Sequence, residues 1–350
     1  MRFVAILSVM LVGPTVLIAQ QERHSLEGDD VAIYNLAGEV SVEAGQGSIG
    51  VLLTRGGNGA GQLRVEQGEI DDRETLRVIY PSDQIVYPAL GRGSSTQLSV
   101  REDGTFGDEH GRHERSRGRR VSIKGGGDGL DAHADLRISV PSGRRVAVHL
   151  AVGKVTVTNV NGQISIDAND APVTATGTQG ELRVDVGSGD VRVSQIEGDL
   201  SVDTGSGSVE VSRYRGSTLS VDTGSGEVTG TELEAANLSI DTGSGDIRLT
   251  GVTAPEVDLE TGSGSVTTDL RRDIHSLSVS TGSGDIAITA PPTLSASVDI
   301  QTASGEIESD FPLSVTRRAS DHVEGRIGDG KGTIAIETGS GGIKLLKRPQ

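Results

Sequence analysis

Carboxylates recur down the second half of this 350-residue chain at a near-constant step. Asp185, Asp203, Asp222, Asp241 and Glu260 stand 18 or 19 residues apart, and Asp190, Glu227, Asp246, Asp285 and Glu306 form a second series. If each series lines one face of stacked strands, like charges sit about 4.8 Å apart and repel, and a hard divalent cation such as calcium would relieve them. Against that chemistry, Ser208, Ser265, Ser280 and Gln301 interrupt the columns, and the GGxGxDxUx nonapeptide of calcium-binding rolls is missing. We assign no metal and no cofactor, keep calcium on the Asp185 to Glu260 ladder as the alternative, and read the carboxylates first as a solubilising outer face.

The other reactive side chains gather less convincingly. His110 and His113 lie beside Asp108, Glu109 and Glu114, which have the residue types of a metal site, but residues 102–120 are charged and almost free of aliphatics. Such composition reads as a mobile surface loop. Arg112, Arg115, Arg117, Arg119 and Arg120 in the same stretch have acidic neighbours and no interleaved aromatics, which is a poor nucleic-acid footprint. With no cysteine anywhere, disulfides, thiol catalysis and thiolate metal sites are excluded. No constellation of catalytic residues emerges.

The elements that must carry the ladders are copies of one unit, LSVDTGSGSVEV at Leu200 to Val211. Copies begin at Ile164, Leu182, Leu200, Leu219, Leu238, Val257, Leu277 and Val298, with another at Ile334, in steps of 18, 18, 19, 19, 19, 20, 21 and 36 residues. Within each copy the apolar residues alternate, Leu200 and Val202 before the glycine corner, Val209 and Val211 after it, which is strand periodicity. Two short strands cannot bury one face alone, but stacked copies can. The pattern predicts an all-β fold, a right-handed parallel β-solenoid with rungs of about 19 residues and a C-terminal cap. Single apolar residues in the connectors, Ile196, Tyr214, Leu233 and Val252, hint at a third wall.

At the corner, Gly205 and Gly207 are expected to take positive φ around Ser206. Gly187, Gly224, Gly243, Gly262, Gly282 and Gly339 mark the equivalent turn. Thr204, Thr223, Thr242, Thr261, Thr281, Thr302 and Thr338 should stack into a column whose hydroxyls bond from rung to rung. TGSG is not a phosphate loop, because no Lys-Ser/Thr and no helix follows it.

In chain order, residues 1–19 read as a secretory signal peptide, with Arg2, an apolar run from Phe3 to Val12 and a Gly13-Pro14 break. No other stretch is apolar enough to span a bilayer. Residues 20–145 form an N-terminal β region with an early copy of the repeat around Val40, Val42, Ile49 and Val51, followed by strand candidates at Gln62 to Glu66, Thr75 to Tyr80 and Gln97 to Arg101. Asp131 to Val140 alternates cleanly before Pro141. Residues 146–350 are the array, in which residues 311–327 leave the register and are the candidate cap.

ISVPSGRRVAV, the serial SVDTGSGDV-type units and the closing GRIGDGKGTIAIETGSGGIKL together resemble the bacterial putative-adhesin family of β-strand-repeat proteins, over roughly residues 30 to 346. The resemblance implies a parallel β-helix or roll outside the cytoplasm, in a family without assigned function and without catalytic residues to carry over. The array is the acidic body of the chain: residues 146 to 350 hold 29 Asp and Glu against 15 Lys and Arg, which disfavours nucleic acid and anionic lipid as partners.

The expected function is an exported, periplasmic or extracellular, non-enzymatic scaffold or adhesin-like protein of the cell envelope. Its partner would be another envelope or extracellular protein or polymer. Two other classes stay open, a polysaccharide-acting β-helix enzyme and a divalent-cation-binding surface protein. The enzyme would want aromatic platforms, and the chain has no Trp, 4 Tyr and 3 Phe. An ice-binding face built on the threonines would need them on a flat outer wall.

Overall fold

Val191–Ser206 shows how the alternation works in three dimensions. Val191, Val193, Ile196, Leu200, Val202 and Thr204 are buried, while Arg192, Gln195, Glu197, Asp199, Ser201 and Asp203 face solvent. The computed structural model describes residues 21–107 and 118–349. Among them the regular structure is β, apart from two single 3-10 turns at Ala60–Gln62 and Pro88–Leu90. The segment read as a signal peptide and His110, His113, Arg112, Arg115 and Arg117 lie outside the described residues.

Copies pair with copies. Leu182 lies beside Leu200, Leu200 beside Leu219, Leu219 beside Leu238, Leu238 beside Val257 and Val257 beside Leu277, always in parallel. After the corner the same register holds, with Val173, Val191, Val209, Val228, Ile247, Val266 and Ile286 side by side. The connector residues Ile196, Tyr214 and Leu233 are neighbours in register and buried, so a third wall faces the same interior. Aliphatic columns of this kind build a core without needing rings, each side chain contributing about 1.5–3 kcal/mol on full burial.

Glycine is required at both corner positions, for two different reasons. Gly207, Gly226 and Gly245 have φ of +142°, +153° and +156°, which disfavour any L side chain. Gly187, Gly205, Gly224, Gly243, Gly262, Gly282 and Gly339 do not adopt positive φ, contrary to the expectation for Gly205. What excludes a side chain there is the neighbouring winding: a Cβ would meet its carbonyl oxygen, Gly224 O for Gly243, at 2.5 Å.

The threonines also behave differently from a hydroxyl ladder. They point inward, and their hydroxyls donate to the second glycine of the adjoining corner, Thr261 to Gly245 O at 3.0 Å and Thr281 to Gly264 O at 2.9 Å. A buried column offers no ice-binding face. Thr204, the first threonine of the column, with Val186 on one side and Thr223 on the other, is the exception: its buried Oγ1 has no hydrogen-bond partner among the described residues. Thr261→Val should therefore cost about 1–2 kcal/mol, while Thr204→Val should be neutral or slightly stabilising. Urea unfolding of the two variants checks the difference.

Stack order departs from chain order at one end. The copy at Ile334 does not follow the copy at Val298. Instead Gly332–Thr338 lies between Ser276–Thr281 and Ala296–Thr302, and Ile343–Lys347 lies between Ile286–Ala290 and Ile307–Ser309. The last copy in sequence is thus inserted inside the stack. The other edge of Ala296–Thr302 is taken by His322–Ile327, antiparallel, which pairs in turn with Ser314–Arg318. That hairpin accounts for the 36-residue step, because it occupies the place where the next winding would lie.

At the opposite end Asp30–Ala44 runs parallel to Arg144–Thr158, with Val31 beside Val146 and Val40 beside Val155, so Val40 and Val42 follow the corner instead of preceding it, and Ile49–Gly56, expected as the second half of an early copy, runs antiparallel to Gln21–Leu26 and His133–Val140. Residues 57–107 and 118–131 form an excursion from it, carrying the antiparallel pair Arg64–Ile70 with Arg73–Ile79, the second of which returns to lie parallel against Asp30–Ala44, and a small second sheet of Gln84–Val86, Ser95–Val100, Arg119–Lys124 and Leu130–Asp131. One contiguous core runs from Leu26 to Leu345, without a break at 145/146. Two local expectations change here. The strand placed at Gln62 to Glu66 starts at Arg64, after the 3-10 turn. The loop placed at 102–120 is anchored at both described ends: Thr105 and Phe106 are buried, and Arg119 opens a strand.

Candidate interaction surface

Strand register decides which outward side chains are neighbours, and it brings the first carboxylate series together. Asp167, Asp185, Asp203, Asp222, Asp241 and Glu260 form one uninterrupted column, continued by Ser280, Glu337 and Gln301. Asp167 belongs to it although its corner reads Ala168-Asn169-Asp170-Ala171, without glycine. The column ends on His149, which sits beside Asp167 and beside Tyr34. His149 is 1% exposed, stacks on the Tyr34 ring at 4.3 Å and has Nδ1 3.1 Å from Asp167 Oδ2. Phe106 covers this end, its ring edge-on to Tyr34 at 5.7 Å. Nothing in the local sequence pairs these residues, since Phe106 arrives from the excursion.

From Asp203 to Glu260 the ladder is uncompensated. Asp203, Asp222, Asp241 and Glu260 are exposed and make no hydrogen bond or ion pair among the described residues. Partial burial, then the neighbouring Asp222 and Asp258, raise the Asp241 carboxyl above the usual range. The sign follows: a folded-state pKa above the unfolded value means that stability declines as pH rises through that interval, then levels off. Asp241→Asn should stabilise the protein at neutral pH by on the order of 0.5–1 kcal/mol, with the gain shrinking in mild acid and at high salt. Thermal melts across pH 3 to 8 at two ionic strengths test this.

The second series has a different chemistry. Asp190 accepts the backbone N–H of Ser208 at 3.1 Å, Asp246 that of Ser265 at 2.8 Å and Asp285 that of Gly342 at 2.8 Å. Arg192 bonds Asp190, and Arg248 bridges Glu227 and Asp246. The serines that interrupt the column are thus the residues whose N–H groups the carboxylates hold. The Ser265 N–H, ahead of Arg248, keeps the Asp246 carboxyl below its usual range. This ladder staples adjacent windings. Glu306 shares the column but has no such bond among the described residues.

A third outer feature carried no recognisable sequence signal. Gln195, Arg213 and Glu232 stack in the left-handed region at φ +57°, +52° and +57°, a conformation usually left to glycine. They line an open groove of about 660 Å³ with Arg215, Glu234, Arg271 and Arg272. Arg215 and Glu234 pair at 3.1 Å, so the groove is of mixed charge. Among the described residues no group of three or more His, Asp or Glu side chains is arranged to hold a metal ion.

A stack of parallel windings carrying two outward carboxylate ladders, one of which holds backbone N–H groups of the next winding, defines a repetitive β-strand protein. The chain belongs to the Toastrack DUF4097 family, a domain of unknown function, whose profile matches residues 135–346. That match starts further along the chain than the resemblance noted above. A crystal structure of a putative cell adhesion protein from Clostridium sporogenes is similar at 10% identity, covering 95% of this chain and 100% of that one, with a TM-score of 0.21. A likeness that slight carries nothing to the present chain. No curated protein matches it significantly.

Proposed function

We propose that this protein is an exported, non-enzymatic β-solenoid, wound right-handed, that serves as an adhesin-like or scaffolding surface of the cell envelope. The observation that carries the reading is the contrast between the two ladders. One is neutralised by backbone N–H groups and arginines and holds windings together. The other costs electrostatic energy along Asp203, Asp222, Asp241 and Glu260, which bond nothing among the described residues and are left available to a partner that presents cationic groups at a matching repeat. The hairpin of residues 314–327 serves as the cap, covering the edge of Ala296–Thr302. No helix among the described residues is long and apolar enough to cross a membrane.

Cell fractionation with cross-linking and pull-down from the native host tests this. The protein should co-purify with an envelope component, and the recovery should fall in high salt and in an Asp203→Asn/Asp222→Asn/Asp241→Asn variant that remains folded. Recovery indifferent to both would remove the ladder from the account.

A polysaccharide-acting enzyme is disfavoured by the rings: Tyr34, Tyr80, Tyr87, Tyr214, Phe106 and Phe311 are all buried, so no aromatic platform for a sugar is exposed among the described residues. Turnover of pectin, alginate or a similar polymer would reverse that judgement. The reading includes no cofactor. Calcium or a chelator should leave the midpoint of heat denaturation unchanged, and a rise with calcium would favour the cation-binding alternative.

A further inference from the structure

The strand Ala296–Thr302 is clasped from both edges, by His322–Ile327 running antiparallel on one side and Gly332–Thr338 running parallel on the other. Only Gly328, Asp329, Gly330 and Lys331 connect the two clasping strands. This strap passes over the start of the clasped strand, where the N–H groups of Asp329 and Lys331 donate to Ser295 Oγ at 3.0 and 3.4 Å and that of Gly332 to Ser295 O at 2.9 Å. Gly328 and Gly330 both have left-handed φ, +59° and +69°. Short, tightly turned straps of this kind are where exchange of an element between copies begins.

Residues 332–347 fill a gap one strand wide. Without them, the windings of residues 276–290 and 296–309 would face each other as two unpaired edges about 9.6 Å apart, twice the strand spacing. In chain order both walls of that slot precede the segment that fills it. Unpaired edges accept any strand whose side chains fit the register. Here the fit is specific: Ile334 and Ile336 stand between Leu277 and Val279 on one side and Val298 and Ile300 on the other, and Thr338 donates to Gly284 O at 3.0 Å. A second copy of the chain offers the same residues. If it supplied them, every contact of the inserted strands would be retained, and only the strap would change path.

We propose that residues 332–347 are an exchangeable strand pair, so that two copies of this chain join by each filling the other's slot between residues 276–290 and 296–309. The inference rests on strand order alone and is independent of what the carboxylate ladder binds. It gives a surface protein a route to assembly that needs no additional interface.

The absence of cysteine makes the test direct, because introduced thiols are the only ones present. Ser280 and Glu337 are register partners across the inserted strand, both outside the core, at a strand spacing that lies within disulfide range. A full-length chain with Ser280→Cys and a differently tagged chain with Glu337→Cys are co-expressed and oxidised. The expected result is a covalent heterodimer at twice the chain mass, absent from a control pair with Ser201→Cys and Ser220→Cys, which are register partners inside the uninterrupted stack. A single chain carrying Ser280→Cys/Glu337→Cys reports the register itself by forming the disulfide, within one chain when the strands stay at home and between two chains when they are exchanged. Disulfide within the single chain but no heterodimer from the mixed pair overturns the proposal, as does heterodimer in both pairs, and failure of the double variant to form any disulfide overturns it by removing the strand order.

Discussion

Gly245→Ala is expected to lower stability by at least about 3 kcal/mol, and the melting temperature by roughly 10 °C. Two effects act at once. The φ of +156° at this corner is one that alanine rarely adopts, and the new Cβ would lie 2.0 Å from the carbonyl oxygen of Gly226. That oxygen cannot retreat easily, because Gly226 is itself stacked so closely on Gly207 that a Cβ there would lie 2.1 Å from the Gly207 carbonyl oxygen. Each corner is wedged by the next, so a shift at one is passed along the column. Gly61→Ala is the matched control: no atom lies within 4 Å of its Cβ position and its φ is ordinary, so the change should stay within about 0.5 kcal/mol. Circular-dichroism melts of the two variants measure the contrast, and equal melting temperatures would show that the windings are not in close contact at the corner.

Ile336→Ala should cost about 2–4 kcal/mol, which is the usual loss for emptying a well-packed aliphatic site. Its value lies in where the damage appears. Ile336 is 2% exposed and sits between Val279 and Ile300, so the cavity would open inside the stack. In an array of coupled repeats a lesion at the last unit frays that unit, whereas a lesion within the array loosens both neighbours. Hydrogen exchange should therefore accelerate in Ser276–Thr281 and in Ala296–Thr302 together. Protection lost in only one of them would mean that the copy at Ile334 is terminal.

Much of the architecture was legible because side-chain direction in a strand alternates with period two, and because a constant step brings like residues into register. Leu182, Leu200, Leu219 and Leu238 needed no structure to be placed in one column, nor did the carboxylates that follow them by three residues. The corners were recognisable as glycine corners, but not the reason for each glycine: Gly243 is required by a carbonyl oxygen of another winding, a contact that no single copy contains. The threonines were readable as a column but not as donors to Gly245 O or Gly264 O, since inward and outward facing at a bend is not set by simple alternation.

The left-handed corner at Gln195, Arg213 and Glu232 left no mark in the sequence, because ordinary side chains occupy it. The inserted copy left a faint one. The copy at Val298 reads TASG where others read TGSG, and it is this copy, with Ala303, that lies outermost, while the copy at Ile334 keeps both glycines and lies among its equals.

By itself the sequence determined the repeat: its length, its alternation, its glycine corners and the alignment of acidic residues on an outer face. These are local properties, dictated by backbone geometry and by the need of each apolar face for an identical partner. Tertiary structure alone decided the order of the windings near residue 332, and which carboxylates hold backbone N–H groups and which stand without a partner. It also set the end of the open ladder at His149 under Phe106. Those outcomes depend on segments far apart in the chain arriving at the same place, and no periodicity records where a chain returns.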